Sequence, residues 1–477
     1  MTSTNDRFEA HRRQLAACEQ SHVLDFWPEL NEPQRADLLD DLDQVDLERC
    51  RPLIETHVRS RPRFALPTRI EPAPVLPVAP DAANAELYRR AEQLGADAIR
   101  AGKVAAFTVA GGQGTRLGYD GPKGGFPITP VRSHCLFHLF AQYLIGVERR
   151  YGTRPPWYVM TSPSNHEATL RIFEAHEFFG LDHADVMFFQ QGQMPAFLPD
   201  GRIALASKHR LALSPDGHGG SLQALRAGGA LVDMSRRGID YISYFQIDNP
   251  LVKAVDPLFI GLHITLNSEM SSKAVSKADD LERVGNFCLA DGKLSVIEYS
   301  DLPEEYALKR NPDGSRRFDA GSIAIHCLSR SFVERLTDDG SDVHLPWHRA
   351  EKRVTTVGSD GIPVEPDALN AVKLEMFIFD AIPLASNPIV LYTPREEEFS
   401  PVKNAEGVDS PATARRDLIR RAARWLESCG CTVPRGADGE PAVELEIAPD
   451  YAVDAVHLRE RLTSPPDLTA ESTYVLE

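Results

Sequence analysis

"KVAAFTVAGGQGTRLGYDGPKGG", residues 103–125, runs an apolar stretch straight into a loop that holds seven glycines, Arg116 and Lys123. The opening "KVAAFTVA" has the length and composition of a buried strand. A loop so poor in Cβ atoms lets backbone N–H groups come close to an anion, and two cations add charge without a long reach, which suits a polyphosphate. A tight glycine turn with a surface arginine and lysine would look the same in isolation. Two common phosphate loops are excluded by register. The dinucleotide fingerprint needs G-x-G-x-x-G, but Gly112 and Gly114 are followed by Leu117, with Gly118 one place late. A Walker-type loop needs lysine after glycine and before Ser or Thr, whereas Lys123 stands between Pro122 and Gly124.

Downstream, strands alternate with amphipathic helices. "CLFHLFAQYLIGVERRYG" reads as a helix ended by Gly152, "PWYVMTS" as a strand, and "HEATLRIFEAHEFFG" as a helix capped by Ser164 or Asn165. "DVMFFQQG", a helix "SLQALRAGGALVDMSRRG" and the strand "YISYFQIDNP" continue the series. This order predicts an α/β fold, Rossmann-like, with a mostly parallel, mixed central sheet between helices and ligands beyond the carboxyl ends of its strands. Upstream, Leu24, Phe26, Leu30, Leu38, Leu39 and Leu42 fall near one helical face, and Asn31-Glu32-Pro33 reads as a helix start. The prolines of residues 61–80 forbid a regular helix and favour an extended strap. The C-terminal part turns acidic, then helical at "PATARRDLIRRAARWLESCG". The expected division is a helical N-terminal segment with its strap (1–85), a catalytic domain (86–392) and a small C-terminal domain (393–477).

Composition narrows the partners. The 477 residues carry a net charge of −17, which repels nucleic acid and anionic membranes at long range, so any phosphate must be held by local cations. No signal core and no run of about eighteen apolar residues is present, and a cytoplasmic chain is expected. Seven thinly spread cysteines read as free thiols. Cys429 and Cys431 lack a second ligand pair for zinc, and His344 and His348 are separated by Pro346 with no third ligand adjacent.

The order strand, G-G-x-G-T-R-L-G, then P-K resembles the signature of nucleotidyltransferases that make nucleotide sugars. Together with "FFQQG", "PDGHGG", "FQIDNPLVKAVDP", "VIEYSDL", "LPWHRAEKR", "KLEMFIFDAIPLA" and "EEFSPVKNA", it makes residues 26–418 resemble the eukaryotic-type UDP-sugar pyrophosphorylases, and among them the UDP-N-acetylglucosamine enzymes most closely. The resemblance implies that UTP and a sugar 1-phosphate give a UDP-sugar and pyrophosphate, with Mg²⁺ as cofactor. It implies that Ala110, Gly111, Gly112 and Gln113 line uridine and the phosphates, that Arg116 and Lys123 hold the polyphosphate, and that Lys373 and Lys403 reach the phosphates of the two substrates. Gln191 would pair with uracil, Gly217 would allow close backbone approach, Asp248 would ligate the metal, and Glu298 and Tyr299 would contact the sugar. From the residues alone, Gln191 could equally be a solvated strand-end amide, Asp248 a turn cap, and Lys373 the exposed opening of a helix. The reading assigns catalysis to Arg116, Lys123 and Lys403.

Two sugar-contacting positions depart from the N-acetylglucosamine pattern. His218 replaces the asparagine of "DGNGG", and Ser322 in "DAGSIAIH" replaces that of "AGN". "GHG" also occurs in glucose-type and broad-specificity relatives. The alternatives are therefore a UDP-glucose or broad-specificity enzyme, or a catalytically weak UDP-sugar sensor. The sequence does not specify the oligomeric state.

Overall fold

The first five residues of the strand Val104–Val109 are buried, as an apolar run this short requires if it is central to a sheet. It pairs in parallel with Trp157–Thr161 on one side and Tyr241–Gln246 on the other, and Trp157–Thr161 pairs in parallel with Val186–Gln190. Beyond Tyr241–Gln246 the sheet changes direction. Ala320–Ser329 runs antiparallel to it, Met270–Ser276 antiparallel to Ala320–Ser329, and Ile389–Tyr392 parallel to Met270–Ser276. Asn286–Ala290, Lys293–Ile297 and Ile70–Pro72 complete the ten strands. The fold is thus the mixed α/β sheet expected. Because Ala320–Ser329 is antiparallel, its first residues lie at the same end as the carboxyl ends of Tyr241–Gln246 and Met270–Ser276. That edge carries Ala110, Asp248 and Ser322.

The chain, described by a computed structural model over residues 3–61, 66–338, 340, 344–358 and 360–477, forms two compact units. The sheet belongs to the larger, residues 67–190, 224–343 and 381–477. Its core gathers Phe107's neighbours Val104 and Ala106, Phe137, Phe140, Trp157, Phe173, Phe245 and Phe259. A satellite core of Trp425, Leu426, Val433, Leu445, Leu458 and Leu476 underlies the C-terminal helix Pro411–Ser428 and the parallel strands Glu444–Ile447 and Thr473–Leu476. The smaller unit comprises residues 1–66, 191–223 and 344–380. Helix Glu32–Asp43 starts at Asn31 in a capping box with Gln34, as the Asn-Glu-Pro start implies. Its Leu38, Leu39 and Leu42 pack with Leu15, Phe197, Leu211, Val372 and Leu374.

Four local readings are corrected. Lys373 does not open a helix. It lies in the strand Ala371–Glu375, opposite Ala350 of His348–Lys352, because Val372 and Leu374 alternate into the core and impose a period of two. The helix predicted over 221–238 is two, Ser221–Ala227 and Ala230–Arg237, broken where Gly229 takes φ 75°. The helix from His166 stops at Ala175; Phe178 and Phe179 turn left-handed (φ 53° and 54°) and pack edge-on against Phe173. Neither Ser164 nor Asn165 caps it through a side-chain hydrogen bond. Of the strap, residues 62–65 lie outside the described residues. Ile70–Pro72 is a sheet edge, and Leu76 bridges Leu391.

Candidate functional site

The glycine loop leaves its strand at Ala110, whose N–H donates to Met160 O at 2.7 Å. Its shape comes from Asn165. That buried amide donates to Ala110 O (2.9 Å) and Gly112 O (3.2 Å) and accepts from Ser162 N (2.9 Å), so the residue expected as a helix cap holds the loop instead. Gln113 Nε2 donates to Ser164 O (3.1 Å), and Lys123 N–H returns to Gly112 O at 3.0 Å. The Cβ that Gly112 lacks would lie 4.0 Å from Lys123 Cε, so the lysine stem runs beside the open backbone of Gly112. Arg116 is exposed on the turn Thr115–Leu117 and makes no hydrogen bond or ion pair among the described residues.

Asp248 follows Tyr241–Gln246 and stands 3.5 Å from Lys123 Nζ, with both side chains about one-sixth exposed. Lys123 Nζ also donates to Val402 O (3.3 Å), and Val402 N–H donates to Asp248 O (2.8 Å). Val402 therefore ties the loop lysine, the strand-end aspartate and the segment bearing Lys403 to one place. Lys403 Nζ is 3.8 Å from Asp409, whose carboxyl is raised above its ordinary range by burial.

Glu298 and Ser322 converge on Gly285. A Cβ there would lie 3.4 Å from Glu298 Oε1 and 3.7 Å from Ser322 Cβ, and Ser322 N–H donates to Gly285 O (2.8 Å). Tyr299 is exposed beside Glu298.

Gln191, Gly217, His218 and Lys373 belong to the smaller unit. Gln191 is buried and donates Nε2–H to Asp216 Oδ1 at 3.3 Å. Burial pushes the Asp216 carboxyl up to about 7. Gly217 takes φ 87° with its missing Cβ 2.4 Å from Met376 O, a place only glycine fits. The next ring, His218, accepts Ile378 N–H on Nδ1 (3.1 Å), stacks 5.3 Å from Phe377 and lies 5.8 Å from Phe379. Burial lowers its pKa to about 4, so the ring is neutral and its proton sits on Nε2, a donor. His348 pairs with Asp380 at 2.8 Å and packs on Phe377, which gives it a structural partner. Lys373 is half-buried, and burial lowers its pKa.

Sequence reasoning missed Asn165, Asp216, Phe377 and Phe379. The last two stood inside the quoted "KLEMFIFDAIPLA", whose alternation was the available signal; Asn165 and Asp216 act through contacts far along the chain, which spacing does not display.

Residues 75–471 match the family described as UTP–glucose-1-phosphate uridylyltransferase. The chain belongs to this family. It is 38% identical over 464 residues to human UDP-N-acetylhexosamine pyrophosphorylase-like protein 1, covering 92% of this chain and 91% of that protein. With the UDP-N-acetylglucosamine pyrophosphorylase of Saccharomyces cerevisiae it shares 33% over 446 residues, 90% and 93% of the two chains. Among solved structures, the uridine diphosphate N-acetylglucosamine pyrophosphorylase from Trypanosoma brucei, in complex with inhibitor, superposes with a TM-score of 0.80 at 26% identity, covering 100% of this chain and 99% of its own. The present chain is thus an enzyme of the uridylyltransferase family, and no helix among its described residues is long and apolar enough to cross a membrane.

Proposed function

We propose that this uridylyltransferase makes UDP-N-acetylglucosamine and pyrophosphate from UTP and N-acetylglucosamine 1-phosphate. The observation that carries the reading is the convergence of the open glycine loop, Lys123, Asp248 and the Lys403 segment at the carboxyl edge of the parallel strands. In an in-line displacement, a phosphate oxygen of the sugar 1-phosphate bonds to the α-phosphorus of UTP while the bond from that phosphorus to the pyrophosphate oxygen breaks. Charge then spreads over the phosphoryl oxygens, and positioned cations are what the reaction needs. Lys123 and Arg116 on the loop and Lys403 on the following segment supply them. The Asp248 carboxylate offers one hard oxygen ligand, and no cluster of three or more acidic, His or Cys side chains surrounds it among the described residues. That donor set fits Mg²⁺ held by one carboxylate and substrate phosphates. When bound, the ion offsets negative charge on those phosphates. Glu298 accepts sugar hydroxyls near Ser322, and the loop backbone serves uridine.

Glucose 1-phosphate is the competing substrate, favoured by His218 and Ser322 standing where amides are found in the N-acetylglucosamine pattern. Pyrophosphate release is measured with UTP, Mg²⁺ and a panel of sugar 1-phosphates. The greatest kcat/KM is expected with N-acetylglucosamine 1-phosphate; a higher value with glucose 1-phosphate reverses the assignment, and binding of UDP-sugars with no release for any sugar makes the chain a sensor.

A further inference from the structure

Behind Asp248 lies a buried network that the mechanism above does not use. Lys273, whose side chain is fully buried, donates to both carboxylate oxygens of Glu398 (2.6 and 2.7 Å) and to Asp256 Oδ2 (2.6 Å). Thr393 Oγ1 donates to the same Glu398 carboxylate at 2.7 Å. Glu398 is thereby fixed at both oxygens. Its backbone carbonyl accepts Asn249 Nδ2–H at 2.7 Å, and Asn249 Oδ1 accepts Ser400 N–H at 3.0 Å and Leu251 N–H at 3.4 Å. Asn249 follows Asp248 directly, and Ser400 precedes Lys403 by three residues. One buried amide therefore spans the two chain segments that carry the metal-side carboxylate and the phosphate-side lysine.

We infer that Asn249 is a positioning residue, anchored through Glu398 on Lys273, that sets the register of Lys403 against Asp248. The amide is the only uncharged side chain type of this length that can donate to Glu398 O and accept from Ser400 N at once. Without it the described residues leave the segments the backbone bond of Val402 N–H to Asp248 O and two side-chain bridges, Lys123 between Asp248 and Val402 O and Arg421 between Leu251 O and Glu397 O. A displacement of order 1 Å at a phosphoryl-transfer site lowers turnover on the order of 10²-fold, so a small loss of register is enough. Lys273 matters indirectly: a charged pair clamped in the core leaves Glu398 one position, whereas a solvated glutamate would leave several.

The inference rests on the uridylyltransferase reading, and the test separates the two. Asn249→Asp keeps the acceptor for Ser400 N–H and loses the donor to Glu398 O; Asn249→Ala loses both. Each is measured alone and combined with Lys403→Ala, as kcat and KM for UTP and as UTP binding stoichiometry by calorimetry. Expected are a kcat lowered ~10-fold or more in Asn249→Asp with about one UTP still bound per chain, a larger loss in Asn249→Ala, and double variants no slower than Lys403→Ala alone. Non-additivity is the signature of acting through Lys403. Wild-type kcat in Asn249→Asp, effects that multiply with Lys403→Ala, or activity lost only in proportion to bound UTP overturns the inference. If Asn249→Ala does not fold, the Asn249→Asp pair carries the test. If the wild type turns over no sugar 1-phosphate, the function reading fails, and the same cycle is read in the affinity for UTP, where equal affinities throughout reject the positioning role.

Discussion

Lys123 owes its place to neighbours rather than to its own rotamer freedom, since Asp248 and Val402 O hold its ammonium. Arg116 is placed by its turn and has its guanidinium free of partners among the described residues. Lys403→Ala and Arg116→Ala are each expected to lower kcat on the order of 10²-fold with the fold intact, by loss of one preorganised stabiliser of phosphoryl charge. Steady-state kinetics alongside circular dichroism checks this, and near-normal rates in both would remove the phosphate clamp. His218 is neutral at physiological pH and donates from Nε2. His218→Asn introduces the side-chain amide of the N-acetylglucosamine pattern and is expected to raise the preference for N-acetylglucosamine over glucose 1-phosphate by about tenfold, measured as a ratio of kcat/KM values. Asp216 has a pH consequence of definite sign. Its folded carboxyl, near 7, lies above its unfolded value, so between about pH 4 and 7 the folded state keeps a proton the unfolded state has lost. Its contribution to stability falls as pH rises through that window. Asp216→Asn is expected to gain in melting temperature relative to the wild type between pH 5 and 7.5; an equal offset at both pH values would refute the buried, protonated carboxyl.

Elements in this fold are placed by what their ends must do. The parallel strands deliver Ala110 and Gln246 at one edge, and the loops beyond them are held by side chains from other loops. Asn165 is the clearest instance, with its amide fully used on Ser162, Ala110 and Gly112. Asn165→Ala takes the amide from Ala110 O and Ser162 N–H and leaves Gly112 O only the Lys123 N–H, at a cost of about 1–3 kcal/mol for each unsatisfied group. The expected result is a lower denaturation midpoint together with a raised KM for UTP; an unchanged KM would show that the loop keeps its shape without the clamp. The strand Ala371–Glu375 makes a different point. Alternate burial of Val372 and Leu374 decides its period, although its own Ala371, Lys373, Leu374 and Glu375 are good helix formers in isolation.

In the whole molecule, the N-terminal helices belong to a core built from three separated stretches of chain. Leu38 and Leu39 are fully buried against Phe197, Val372 and their neighbours. Leu38→Ala is expected to cost about 2–5 kcal/mol in chemical denaturation, with the transition of the smaller unit moving most. A cost below ~1 kcal/mol would mean that the helices are an appendage. The C-terminal stretch is likewise knitted to the larger unit, where Glu446 accepts the backbone N–H groups of Val131 and Arg132 at 2.8 and 2.9 Å.

The sequence by itself determined the sheet class and the glycine loop, because each depends on local pattern, a buried strand and a run of glycines; Lys123, Asp248 and Lys403 stand out through the family resemblance rather than by spacing alone. Helix ends at Gly152 and Asn31 were legible for the same reason. Only the tertiary structure decided that Asn165 clamps the loop, that Lys373 lies in a strand, that burial raises the Asp216 carboxyl and that Asn249 bridges to Glu398. Those facts are set by burial and by partners far along the chain, as in the bond from Ser400 N–H to Asn249, 151 residues apart. A side chain's desolvation and its hydrogen-bond partner are properties of the folded surroundings, and no local spacing encodes them.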